Sequence, residues 1–175
     1  MPNIVLIGPM GSGKSTIGAA LARRLGRPHV DSDHFFVARH GSIPEYFSTH
    51  GETAFRERER RIVAELLDAP RPSVISLGGG SVLDVRTREL LRDQTVVMLD
   101  ISEEQAALRI GEGSTRPVLG DDPLVAWKRI YAEREDIYRD CADVVLPPDD
   151  ESIEVRVDTI VARLNPTPAG DDTTP

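Results

Sequence analysis

A chain of 175 residues fits one domain, and 39% hydrophobic with 29% charged residues describes a globular protein able to bury a core. Its 21 lysines and arginines against 29 aspartates and glutamates leave a formal charge of -8, which argues against general binding to nucleic acid or a membrane surface while allowing a local basic pocket. No stretch approaches the ~18 apolar residues of a membrane span, and the lone Cys141 excludes an intrachain disulfide or a thiolate metal cluster.

In chain order, short β-branched runs alternate with longer amphipathic segments. NIVLI at 3–7 predicts a strand that runs directly into GPMGSGKST at 8–16, and helical spacing follows over 15–25. PHVDSD at 28–33 predicts a second strand. A helix is expected over 55–67, where Phe55, Ile62, Val63, Leu66 and Leu67 share a face. SVISL at 73–77 predicts a third strand, leading into Gly78-Gly79-Gly80. Beyond it come a short helix over 87–92, a strand over 95–100 and a helix over 103–109. The segment 111–123, GEGSTRPVLGDDP, is bounded by glycine and proline and reads as a lid that excludes water. A helix over 124–138, a strand over 142–146 and a helix over 153–164 complete the pattern. The stretch 165–175, rich in Pro, Thr and Asp without an apolar period, is expected to be disordered.

Strands alternating with crossover helices predict an α/β fold with a mostly parallel sheet covered on both faces. Ligands of such sheets lie beyond the carboxyl ends of the strands. Three polar clusters follow strands here: the glycine loop, the pair Asp31 and Asp33, and the triple glycine. They are expected to converge in one cleft.

Gly8, Gly13, Lys14 and Ser15 match G-x-x-x-x-G-K-[ST], the P-loop pattern. Gly8, Gly11 and Gly13 allow successive backbone N–H groups to turn inward around a phosphate, and the following helix adds its positive end. Lys14 brings a point charge to the β- and γ-phosphates, and the Ser15 hydroxyl is a ligand for Mg²⁺. A dinucleotide fingerprint fits worse, because the G-x-G-x-x-G spacing is absent here and Lys-Ser would be unexplained, so the loop reads as a nucleoside triphosphate site.

Asp31 and Asp33, two residues apart at the end of an extended run, are expected to point the same way. A carboxylate there holds Mg²⁺ through water, accepts the proton of an attacking hydroxyl, or caps a helix. Arg56 lies beside Phe55 where the apolar face begins, so it reads either as an anion clamp or as part of the solvated run FRERE. Arg116 in the lid suits the charge of a transferring phosphoryl group, and Arg134 is a second anion ligand or a surface charge. His29, His34, His40 and His50 show no metal spacing, Trp127 reads as packing, and Cys141 as a small buried apolar residue.

Taken together, GPMGSGKST, DSD at 31–33, GETAFRERE at 51–59, SLGGG at 76–80, STRP at 114–117 and AEREDIYRD at 132–140 resemble the shikimate kinase family over about residues 3–164. The resemblance implies a P-loop NTPase three-layer sandwich with a five-stranded parallel sheet, similar to nucleoside-monophosphate kinases and carrying a mobile lid. It implies transfer of the ATP γ-phosphate to the 3-hydroxyl of shikimate on the route to chorismate and the aromatic amino acids. Lys14, Asp33 and Arg116 would then be catalytic. Gly11, Ser12, Gly13, Lys14, Ser15, Thr16, Arg109 and Arg116 would hold ATP, with Arg109 against adenine. Asp33, Arg56, Gly78, Gly79, Gly80 and Arg134 would hold shikimate, the two arginines on its carboxylate, with Phe47 and Phe55 near its ring. Ser15, with Asp31 behind water, would serve Mg²⁺.

The same reading makes 1–164 a single kinase domain with a substrate-binding region over 34–60. It predicts a monomer with a small-molecule acceptor and no nucleic-acid or membrane partner. With no basic-then-apolar leader in the sequence, the cytoplasm is the expected location. A sugar-acid kinase such as gluconokinase is the nearest rival, and a nucleotide-binding module without transfer activity is the rival from another class. A nucleic-acid-dependent ATPase is disfavoured by the charge balance.

Overall fold

Five short strands, β1 (Ile4–Ile7), β2 (His29–Asp31), β3 (Val74–Ser76), β4 (Thr95–Leu99) and β5 (Val144–Leu146), form one parallel sheet in the order β2-β3-β1-β4-β5. The computed structural model describes residues 1–111 and 122–165. Apart from its ends, the lid expected at 111–123, Arg116 included, lies outside the described residues, as does the tail beyond 165. In β1, β3 and β4 almost every side chain is buried, which is why these strands read as unbroken apolar runs rather than alternating ones.

Alternate residues of each strand serve opposite faces. Ile4, Leu6, Val74, Val97 and Leu99 pack on Ile17 and Leu21 of α1 (Lys14–Leu25) and on Val157 and Ile160 of α7 (Ile153–Leu164). Val5, Ile7, Ile75, Val96 and Met98 face the other way. They pack on α2 (Ser32–His40), α3 (Ile43–Leu67), α4 (Val85–Leu91) and Tyr138 of α6 (Pro123–Cys141). A smaller cluster joins α5 (Glu103–Gly111) to α6 through Ala106, Ile110 and Trp127. Each fully buried aliphatic side chain contributes about 1.5–3 kcal/mol of transfer free energy, so the sheet is a firm platform for the loops beyond its carboxyl ends.

Three differences from the sequence reading bear on the site. The second strand stops at Asp31, not at 33. The Asp31 carboxylate accepts hydrogen bonds from the backbone N–H groups of Asp33 (3.0 Å) and His34 (3.2 Å), and this cap starts α2. Asp31 and Asp33 are therefore not two side chains on one face of an extended run. The short helix α2 was not anticipated, because nine residues with Phe36 as the main buried apolar anchor carry little periodic signal. α3 begins twelve residues earlier than the expected position 55 and is broken at Gly51, where φ 79° and ψ 170° leave the helical region. Cys141 is half-buried against the core, and burial pushes its thiol pKa up, in keeping with an apolar role.

Candidate active site

Beyond the carboxyl ends of β1, β2 and β3 opens a cleft of ≈ 1010 Å³. The three expected clusters do meet there: Gly11, Gly13, Lys14, Ser15 and Thr16 from the glycine loop, Asp31 and Asp33, and Gly78 to Gly80 all line it. Phe47, Phe55, Arg56, Arg109 and Arg134 line it as well. Ser12 does not. It is buried beneath the loop, where its hydroxyl accepts from Lys14 Nζ at 3.4 Å.

The loop's shape is held from several sides. Gly8 has φ 137°, and a Cβ added there would collide with the Leu99 carbonyl, so only glycine fits. Lys14 Nζ curls back to donate to Gly8 O and Pro9 O, both at 2.9 Å. The Ser76 hydroxyl donates to Lys14 O (2.9 Å), and Arg109 Nη1 donates to Gly11 O (2.8 Å). Trp127 is buried and stacked on Tyr131 as packing would require, yet its Nε1 also donates to Met10 O at 3.0 Å and so braces the loop. His29 meets the Ser76 hydroxyl at 3.0 Å under α1, a structural role like the one expected of it.

Where the loop enters α1, the Ser15 hydroxyl donates to Asp31 Oδ2 at 2.5 Å, while Asp31 Oδ1 caps α2. One carboxylate thus serves as helix cap and as partner of the Ser15 hydroxyl. These are hard oxygen donors beside a phosphate cradle, the chemistry Mg²⁺ selects. Among the described residues no group of three or more His, Cys, Asp or Glu could hold a metal.

Asp33, in the first turn of α2, has its pKa raised to about 6, first by burial and then by the negative charges of Asp31 and Glu59, with Lys14 and His34 opposing. Its carboxylate lies against Gly78, where a Cβ would overlap it, and the Gly78 N–H donates to Ser32 Oγ at 3.0 Å. Arg56 is no solvated charge. Its Nη1 donates to Glu59 Oε2 at 2.7 Å, its guanidinium lies where a Cβ on Gly80 would sit, and its buried Nε has no hydrogen-bond acceptor among the described residues. Next to it on the helix, Glu57 pairs with Arg60 and Arg61 near the surface.

Sequence reasoning missed Glu59 and Tyr138. Glu59 is buried and takes hydrogen bonds from Arg56 and the Ser81 hydroxyl (2.8 Å). Its place three residues after Arg56 in a helix was the available signal. Tyr138 donates its hydroxyl proton to Gly79 O at 2.6 Å. Burial raises its pKa, and the nearby positive charges of Arg134 and Arg56 act against that rise. Phe47 and Phe55 also line the cleft, their rings 5.5 Å apart. The cleft is therefore lined by the glycine loop with Lys14, and by two guanidinium groups, a perturbed carboxyl and two aromatic rings.

The family model described as shikimate kinase matches residues 10–165. The shikimate kinase of Streptomyces coelicolor is 42% identical over 154 residues, 87% of this chain and 90% of that protein. Among solved structures, shikimate kinase from Acinetobacter baumannii in complex with shikimate superposes with a TM-score of 0.88 at 32% identity, covering 94% of this chain and 93% of that one. A gluconokinase from Sinorhizobium meliloti has a TM-score of 0.61 at 21% identity over 93% of this chain and 91% of that one, a likeness of fold alone.

Proposed function

This chain belongs to the shikimate kinase family, ATP-dependent kinases, and from that premise we propose how its own residues transfer the γ-phosphoryl group of ATP to the 3-hydroxyl of shikimate. The observation that carries the reading is the meeting, in one cleft, of a phosphate cradle with an acceptor pocket of Asp33, Arg56, Arg134 and the triple glycine.

Gly11 to Thr16 hold the triphosphate through loop amides and the positive end of α1, with Ser12 supporting from below. Lys14 exchanges its loop carbonyl partners for phosphate oxygens, and Arg109 lies on the nucleotide side. Arg116, assigned by the family motif, meets the transferring group. Ser15, with Asp31 behind a water, would hold Mg²⁺, which would supply positive charge to the phosphate oxygens. Arg56 and Arg134 grip the shikimate carboxylate, Gly78 to Gly80 let the ring approach the backbone, and Phe47 and Phe55 cover its apolar edge. Asp33, mostly ionised above pH 6, accepts a hydrogen bond from the 3-hydroxyl and turns its oxygen toward the γ-phosphorus. As the new O–P bond forms, the bond to the bridging oxygen of ADP breaks, and the hydroxyl proton passes late to Asp33, because a loose transition state needs little earlier help from a base.

Residues 1–164 act as one kinase domain, with 34–60 as the substrate region and 111–123 as the lid. A single chain supplies both ends of the cleft, which supports a monomer. None of the described helices is long and apolar enough to cross a membrane. An ATP-consuming biosynthetic step on a small acid belongs in the cytoplasm, without nucleic-acid or membrane partners.

The test is coupled ADP release with ATP and Mg²⁺, comparing shikimate, quinate, gluconate and no acceptor. Turnover that requires shikimate and disappears in Asp33→Asn is the expected result. Turnover with gluconate in its place would overturn the acceptor assignment, and ADP release independent of any acceptor would overturn the kinase reading.

A further inference from the structure

Tyr138 stands one helical turn beyond Arg134 on α6 and is 1% exposed. A buried phenol needs a hydrogen-bond partner, and this one reaches 59 positions back along the chain to Gly79 O, at 2.6 Å. The chain has no cis peptide among its described residues, so the Gly79–Gly80 peptide is trans and carries its C=O and N–H on opposite sides. Fixing the Gly79 carbonyl on one side therefore fixes the direction of the Gly80 N–H on the other. Neighbouring amides are satisfied within the protein: Gly78 N–H by Ser32 Oγ, Ser81 N–H by Gly78 O and Leu83 N–H by Gly80 O. Neither Gly79 N–H nor Gly80 N–H has an acceptor among the described residues, and both glycines line the cleft.

Glycines on both sides of a peptide leave it free to flip, because no Cβ resists the change. Here the loop is confined instead, with the Tyr138 hydroxyl behind Gly79 and the Arg56 guanidinium against Gly80. We propose that Tyr138 is a positioning residue for the acceptor: its hydroxyl holds the Gly79–Gly80 peptide in the one orientation that presents the Gly80 N–H, beside Arg56, to an oxygen of the bound acid. The inference rests on the acceptor assignment made above. It makes the triple glycine a preset donor rather than merely a gap, and it gives α6 two tasks one turn apart, a cation from Arg134 and loop orientation from Tyr138.

Tyr138→Phe tests this, because it keeps the ring and its packing and removes only the hydroxyl. A lost hydrogen bond of ordinary strength is expected to raise the KM and the calorimetric Kd for shikimate roughly three- to tenfold. The KM for ATP should stay as in the unmutated enzyme. Unchanged shikimate constants overturn the proposal. So does an equal weakening of both substrates accompanied by a lower Tm, the mark of a loosened core. If the unmutated enzyme itself lacks shikimate-dependent ADP release, the functional reading fails first, an outcome separate from an unaffected Tyr138→Phe variant.

Discussion

At Asp33 the carboxyl pKa moves from 3.8 to about 6 because burial, and then Asp31 and Glu59, disfavour its charge. Between about pH 4 and pH 6 the folded state holds this proton more tightly than the unfolded chain, so stability falls as pH rises through that window. Above it the ionised carboxylate is a constant penalty of about 3 kcal/mol. Asp33→Asn removes the penalty. We expect its Tm at pH 7.5 to exceed that of the unmutated protein by several degrees, the gain shrinking at pH 5, while shikimate-dependent turnover is lost. A Tm gain equal at both pH values in thermal denaturation would mean that the carboxyl is not perturbed. For the unmutated enzyme, kcat/KM for shikimate should decline below pH 6 as the hydroxyl's acceptor becomes protonated. Stability is given up at this residue, which leaves a buried, poorly solvated carboxylate lining the cleft.

Helices α2 and α3 bring Asp33, Phe47, Phe55 and Arg56 to the cleft, beside the Gly78–Gly80 loop and Arg134 of α6. Ser42 starts α3 as its N-cap, and Gly51 breaks it between the turns bearing Ile43 and Phe47 and those bearing Phe55, Arg56 and Glu59. The Gly51 conformation, φ 79° with ψ 170°, is essentially restricted to glycine. No heavy atom lies within 4 Å of a Cβ placed there, so alanine would add backbone strain and nothing else. Gly51→Ala is expected to cost about 1–3 kcal/mol in denaturant unfolding. It should also raise the KM for shikimate more than that for ATP, since the break sets Phe47 against Phe55. An unchanged unfolding midpoint would mean the helix relieves the strain by local unwinding.

Across the whole molecule, an acidic chain of net charge -8 gathers Lys14, Arg56, Arg109 and Arg134 around one cleft, an arrangement suited to anionic ligands. The helix α6 spans both ends, with Trp127 bracing the nucleotide loop and Arg134 and Tyr138 at the acceptor pocket. Ligands that bind only the folded state stabilise it by mass action, about 2.7 kcal/mol at a hundred times Kd. ATP and shikimate are each expected to raise Tm in a thermal-shift assay. Arg56→Ala should abolish the shikimate shift and preserve the ATP shift, because Arg56 faces only the acceptor end. It should also lower the Tm of the free protein, since it leaves the Glu59 carboxylate buried without its cation. Loss of both shifts would mean that the two ends do not bind separately.

Features written in contiguous residues were legible in the sequence. The phosphate loop needs its glycines, lysine and serine within nine positions. Strands β1, β3 and β4 show as apolar runs because the sheet is covered on both faces, and α7 appears at its observed bounds because its apolar period is unbroken. The convergence of three clusters also followed, because parallel α/β sheets place every strand's carboxyl end on one side. What only the tertiary structure decided depends on partners distant along the chain. Asp31 receiving the Ser15 hydroxyl, the Arg56 guanidinium lying against Gly80, and Tyr138 holding Gly79 are each set by packing. The same residue types on the surface would pair with water instead. Local periodicity records which face of an element is apolar, but a polar side chain acquires a fixed direction only when burial removes water and leaves it one partner.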